Sequence, residues 1–84
     1  MKKIAYFYLQ SCPYCKRAEK LLQELLAQPR YSEINVERVE ESRQRDYARQ
    51  FDYYYVPCFY VDGVKIHEGA ADKNDIIKVL ESAL

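Results

Sequence analysis

The sequence predicts one α/β domain over residues 1–84, in the order β-α-β-α-β-β-α, with a mixed four-stranded sheet and helices on both faces. Three observations carry this. The run Ile4-Ala5-Tyr6-Phe7-Tyr8-Leu9 is apolar without a break, and a stretch with helical period follows it. Ile34-Asn35-Val36-Glu37-Arg38-Val39 then mostly alternates, as a half-buried strand does. Asp62-Gly63 stands between two further strand-like runs and marks a two-residue hairpin.

The first strand, apolar on both faces, is expected at the centre of the sheet. After Cys15 the period changes: Ala18, Leu21, Leu22, Leu25 and Leu26 recur at helical spacing, with charged and polar residues between them. Pro13 suits the first helical position, where a missing N–H costs nothing. This helix is expected from about Pro13 to Ala27, with Pro29 and polar residues ending it. Strand, helix, strand at this length is a crossover unit, so the strand at Ile34–Val39 is expected parallel to the first. Glu40 and Glu41 precede a second helix, with Ser42 as its expected N-cap. Tyr47, Ala48 and Phe51 give that helix a narrow apolar face. Its arginines, Arg43, Arg45 and Arg49, read as a solvated face from which one can reach a nearby groove.

Tyr53, Tyr54 and Tyr55 are adjacent and cannot all face inward in extended chain. Some are expected to pack under the sheet; one can line a groove. Pro57 precedes the strand Cys58-Phe59-Tyr60-Val61, and Val64-Lys65-Ile66-His67 returns from the hairpin. Asp72 is an N-cap candidate for the last helix, with Asp75 three residues on and Ile76, Ile77, Val79, Leu80 and Ala83 as the buried face.

With 13 basic and 13 acidic side chains the net charge is zero, which argues against an electrostatic nucleic-acid or membrane binder. No stretch reaches the roughly 18 apolar residues of a membrane span. The basic start Met1-Lys2-Lys3 leads into a short, strand-like run without a small-residue cleavage site, so it does not read as a signal peptide. A cytoplasmic location is expected, and there a Cys-x-x-Cys pair is more often catalytic than a permanent staple.

That pair is Cys12-Pro13-Tyr14-Cys15, at the strand-to-helix turn. Cys12 falls at the helix cap and Cys15 inside the first turn. Free backbone N–H groups and the positive end of the helix dipole favour an anion at Cys12. Thiols in such places typically drop from about 8.5 into the range of about 3.5–7.5, so Cys12 is expected to be the nucleophile. Cys15, one turn inward, is expected to keep its proton longer and to resolve a mixed disulfide by exchange. Two other readings stand beside this one. A zinc site assembled from Cys12, Cys15, Cys58 and His67 has the right donor types, although such sites usually draw on two Cys-x-x-Cys pairs. A structural disulfide between Cys12 and Cys15 closes too small a loop to stabilise much. Cys58 reads as a small buried strand residue or as a third redox thiol, and His67 as surface or hydrogen-bonded structure.

Cys12-Pro13-Tyr14-Cys15 on its turn, Val56-Pro57 before a hairpin, and Glu68-Gly69-Ala70-Ala71-Asp72 before the last helix together resemble the glutaredoxin family of the thioredoxin superfamily, in its dithiol C-P-Y-C form. The resemblance covers nearly the whole chain. It implies the thioredoxin-like fold and thiol–disulfide oxidoreductase activity, with Cys12 and Cys15 catalytic. It implies a cis Pro57 facing them. Tyr14, Val56, Pro57 and Asp72 would bind substrate or glutathione, Val56 through its backbone and Asp72 by holding an amino group. No tightly bound cofactor is implied; glutathione is the expected co-substrate. Disulfide-containing proteins or small disulfides are the expected partners, glutathione or a thioredoxin-reductase-type donor the electron source, and a monomer the expected state. An iron–sulfur cluster using Cys12, Cys15 and Cys58, or shared between two copies, is the alternative, and the proline in C-P-Y-C speaks against the shared form. Three positions depart from the family pattern. Leu9 stands where a lysine usually helps to bind a glutathione carboxylate, Glu68-Gly69 stands where two glycines are usual, and Cys58 follows Pro57 directly. Weaker glutathione binding with intact exchange chemistry is the expectation.

Overall fold

The computed structural model describes all residues, Met1–Leu84. Its elements are β1 (Ile4–Tyr8), α1 (Pro13–Leu26), β2 (Val36–Glu40), α2 (Arg45–Ala48), β3 (Cys58–Val61), β4 (Val64–Glu68) and α3 (Lys73–Ser82). The sheet order is β2-β1-β3-β4. β1 and β2 are parallel, whereas β3 runs antiparallel to both β1 and β4. β1 is therefore central, as its uninterrupted apolar run requires.

Strand alternation divides the core between two faces. Ile4, Tyr6, Phe59 and Val61 point to the face covered by α1 and α3, where Leu22, Leu25, Ile76, Val79 and Leu80 meet them. Tyr6 stacks on Phe59 with ring centroids 4.7 Å apart, an arrangement that contributes about 0.5–1.5 kcal/mol beyond burial. Ala5, Phe7, Cys58 and Tyr60 point the other way, toward Val39 and Ala48. Only one helical turn, α2, covers that side, so Tyr47, Phe51 and Tyr53 complete the cover around Phe7.

Several boundaries differ from the sequence expectation: β1 ends at Tyr8 rather than Leu9 and β2 at Glu40 rather than Val39. α1 ends at Leu26 with Ala27 as its C-cap. β2 begins at Val36 rather than Ile34, and Ile34 is buried in the turn before it. β4 continues one residue past His67, to Glu68. Ser42 is not the N-cap of α2. That position is Gln44, whose side chain makes no capping bond; Ser42 lies two residues earlier, where its N–H and hydroxyl both donate to Glu40. Asp62 (φ 51°) and Gly63 (φ 82°) both take positive φ at the hairpin, the conformation an Asp-Gly turn supplies. A register shift between Phe59 and Tyr60 in the β3–β4 pair had no signal in the sequence.

Candidate active site

Strand register brings four loops to one end of the sheet. Tyr8 faces Glu40 at the ends of the parallel pair β1 and β2. Phe7 faces Cys58, and Cys58 faces Glu68. Chain leaving β1, β2 and β4, and chain entering β3, therefore share the rim beyond the C-terminal ends of the parallel strands, where open α/β sheets place their sites. Cys12–Cys15, Glu41–Arg43, Tyr53–Pro57 and Gly69–Asp72 all stand on this rim.

Cys12 is the N-cap of α1, in extended conformation (φ −82°, ψ 119°), with Pro13 opening the helix. The Lys16 N–H donates to the Cys12 carbonyl at 3.0 Å and closes the first turn. Cys12 is half-buried and Cys15 buried, both as free thiols. Burial pushes the Cys15 thiol up to about 12, and the adjacent Cys12 sulfur adds to this. The Tyr6 hydroxyl donates to the Cys15 carbonyl at 3.0 Å and fixes the turn from below.

Cys58 is fully buried among Ala5, Phe7, Val39, Ala48 and Tyr60, on the face of the sheet away from α1. Burial pushes its thiol up to about 12 as well. Nowhere do three His, Cys, Asp or Glu side chains converge as metal ligands, so Cys12, Cys15, Cys58 and His67 do not assemble into the zinc set their types allowed, nor Cys12, Cys15 and Cys58 into a cluster site within one chain. His67 instead bridges the carbonyls of Gly69 and Ala70, 3.1 and 3.0 Å from Nε2, and braces the turn into α3.

Tyr14 and Asp72, both expected at a binding site, line one groove of about 200 Å³ with Arg17 and Ala70. Asp72 caps α3. Its Oδ1 accepts the Asp75 N–H at 2.9 Å, while Asp75 Oδ2 accepts the Asp72 N–H at 3.0 Å. The Val56–Pro57 peptide is cis and Pro57 is buried. Val56 has neither its N–H nor its C=O hydrogen-bonded within the chain. Leu9, Gln10 and Cys15 border a separate cavity of about 290 Å³ floored by Tyr6 and Tyr8. Arg43 reaches the loop before Cys12, donating to Gln10 Oε1 at 3.2 Å. Of the three tyrosines, Tyr53 is half-buried with its hydroxyl on Glu41 at 2.7 Å, and Tyr54 and Tyr55 are exposed.

Two carboxylates that sequence reasoning did not single out as site residues hold the rim loops. Glu40 is buried at the end of β2. It accepts the Gln10 N–H at 2.8 Å, the Ser42 N–H at 2.7 Å and the Arg43 N–H at 3.2 Å, so it clamps the loop before Cys12 to the loop before α2. The Ser42 hydroxyl and then these N–H groups hold its carboxyl down at about 2. Glu68 accepts the N–H groups of both Tyr54 and Tyr55 and the Lys65 ammonium. Glu40 had no signal beyond its place after a strand, and Glu68 stood out only as a departure from the family's glycine pair; only the register shows what each reaches.

The family model described as Glutaredoxin matches residues 4–66, which include the dithiol turn, the cis proline and most of the sheet. The chain belongs to the glutaredoxin family. No curated protein matches it. Among solved structures this glutaredoxin-family chain is similar to a thioredoxin from Malassezia sympodialis, at 18% identity and TM-score 0.80 over 98% of this chain and 74% of that one. A malarial protein aligns at 18% identity and TM-score 0.77, over 100% of this chain and 98% of that one. Fasciola hepatica thioredoxin aligns at 15% identity and TM-score 0.76, over 99% and 81%. At such identities the likeness speaks to the fold, which is thioredoxin-like, and family membership places the chain among thiol–disulfide oxidoreductases.

Proposed function

We propose that the chain is a dithiol enzyme of the C-P-Y-C type that reduces protein or small-molecule disulfides. The observation that carries this is the asymmetry of the turn: a half-exposed sulfur at a helix N-cap beside a buried one in the same turn. Burial holds Cys15 protonated, while Cys12 stands at the helix N-terminus, beside backbone N–H groups that favour the thiolate as nucleophile. The Cys12 thiolate attacks one sulfur of a substrate disulfide R–S–S–R′. A Cys12–R disulfide forms, and R′S⁻ leaves and takes up a proton. Cys15 then gives up its proton and attacks the Cys12 sulfur, forming the Cys12–Cys15 disulfide and releasing the second thiol as RSH. The substrate gains two electrons and the protein loses two. Two molecules of glutathione, or a thioredoxin-reductase-type dithiol, return them.

Val56 offers its free N–H and C=O to the substrate backbone, as an exposed strand edge does. Tyr14 and Asp72 border the groove suited to the amino end of glutathione. Leu9 supplies no ammonium for its carboxylate, so glutathione is bound weakly. The protein works as a monomer in the cytoplasm, without a resident cofactor. The test is turnover of hydroxyethyl disulfide with glutathione plus glutathione reductase, run in parallel with a thioredoxin reductase as sole donor. Turnover in either arm that disappears in Cys12→Ser supports the reading; turnover in neither arm refutes it.

A further inference from the structure

The loop that offers Val56 is not held by the sheet it precedes. Between Phe51 and Cys58, the Pro57 carbonyl accepts the Gly69 N–H at 2.8 Å, and no other backbone hydrogen bond to the rest of the chain involves Asp52–Pro57 beyond those made by side chains. The side chains are few. Glu68, at the end of β4, takes the N–H groups of Tyr54 and Tyr55 on one carboxylate oxygen and Lys65 Nζ on the other, at 2.7 Å. Lys65 continues to the Asp52 carbonyl at 3.1 Å, where the Tyr60 hydroxyl also donates, at 2.6 Å. Tyr53 is held by its own packing on Phe7 and its hydroxyl on Glu41, but Tyr54 and Tyr55 are 87% and 70% exposed, so beyond Tyr53 the carboxylate holds the loop.

We propose that Glu68 is a positioning residue, which fixes the Tyr53–Val56 loop and the register in which an extended substrate segment pairs with it. Tyr54 N–H and Tyr55 N–H are occupied by Glu68, and Pro57 has no N–H and a carbonyl already taken. Within Tyr54–Pro57, the stretch next to the dithiol turn, Val56 alone keeps both groups free. A peptide adding to this edge therefore finds one place to pair, and cannot slip toward Tyr54, where its carbonyls would compete with a charged acceptor. Two successive N–H groups also form an anion-binding concavity, and Glu68 fills it from within. The Lys65 ammonium and then the two N–H groups hold the Glu68 carboxyl down at about 2, so the clamp stays charged at any working pH.

The proposal rests on the disulfide-exchange reading and is tested by Glu68→Ala and Glu68→Gln beside the wild type. The substrate is a peptide disulfide, and the reactivity of Cys12 is followed separately with iodoacetamide. Glu68→Ala is expected to raise KM roughly tenfold, the scale of one lost hydrogen bond to a charged group. kcat and the alkylation rate of Cys12 should stay within about twofold. Glu68→Gln, which keeps an oxygen for the two N–H groups, should recover most of the loss. Amide exchange gives a readout independent of turnover: in the wild type the Tyr54 and Tyr55 amides should be protected and the Val56 amide open. Three results each overturn the proposal: an unchanged or lowered KM in Glu68→Ala, failure of Gln to rescue, or Tyr54 and Tyr55 amides that exchange as fast as that of Val56. Should Glu68→Ala not fold, the Gln variant and the wild-type exchange decide. A wild type that turns over nothing refutes the exchange reading instead, and leaves the amide test of the clamp standing.

Discussion

Cys15 and Cys58 are alike in almost every local respect. Both are buried, at 2% and 0% exposure, and burial pushes both thiols up to about 12. They differ in what lies beside them. Cys15 stands in the first turn of a helix with a second sulfur at the cap, on the rim where four loops meet. Cys58 stands in the smaller core under α2, among carbon side chains and the Tyr60 ring, on the other face of the sheet. Burial by itself makes a thiol inert; a neighbouring sulfur at a helix N-terminus gives a buried thiol something to do.

The largest effect expected from this contrast separates Cys12 and Cys15 by role. Cys12→Ser should reduce turnover to the level without enzyme. Cys15→Ser should still attack, and should accumulate a stable mixed disulfide with protein substrates, visible as a single adduct by intact mass. An adduct on Cys58 in either variant would break the comparison.

A second effect follows from what the two buried thiols share. Each has its ordinary value of 9.0 raised in the fold, so the fold favours the protonated form. That contribution to stability is complete below pH 9 and is lost as pH rises from there toward 12. Denaturant midpoints of the reduced protein should therefore fall across this window, and Cys58→Ser should flatten the part owed to Cys58. A midpoint that holds steady from pH 8 to 11 would contradict the burial argument for both thiols.

At fixed pH, Cys58→Ser should cost about 1–3 kcal/mol by placing a hydroxyl in an apolar site, and should leave KM and kcat unchanged. Equal losses of stability and activity would mean that Cys58 belongs to the site after all.

The smallest effect concerns Leu9. Leu9→Lys restores one ion pair for a glutathione carboxylate in an open groove, a gain of up to about 1 kcal/mol, or roughly fivefold in KM for glutathione. Cys12 alkylation should not change. No gain, with tight glutathione binding by the wild type, would point to Arg43, already extended over Gln10, as the supplier of that charge.

Much of this was legible in the chain because local rules and the fold agree. The apolar run Ile4–Leu9 suited a central strand, and Ile4–Tyr8 forms it; Pro13 after Cys12 suited a helix start, and Asp62-Gly63 a tight turn, and both are found there. Asp72 with Asp75 read as a cap and forms a reciprocal capping box. Ser42 misled because Glu40 draws its N–H and hydroxyl to the end of β2, and the helix begins only at Arg45. What Glu40 and Glu68 reach was illegible for the same reason, although Glu68 was visible as a departure from the family's glycine pair. A glutamate beside a strand is ordinary until register sets it against another loop's free N–H groups. The residues proposed to do the chemistry were written in a local motif; those that hold the loops around it were written in the pairing of strands.

Cys12 is the less buried member of an unequal pair and the one proposed to react. The most direct measurement is peptide-resolved alkylation of the reduced wild-type protein by iodoacetamide at pH 6, followed by mass spectrometry over time. Cys12 should be modified first and by a wide margin, with Cys15 and Cys58 both slow, since neither buried thiol yields a thiolate there. Equal rates at Cys12 and Cys15, or Cys58 reacting ahead of either, would contradict it.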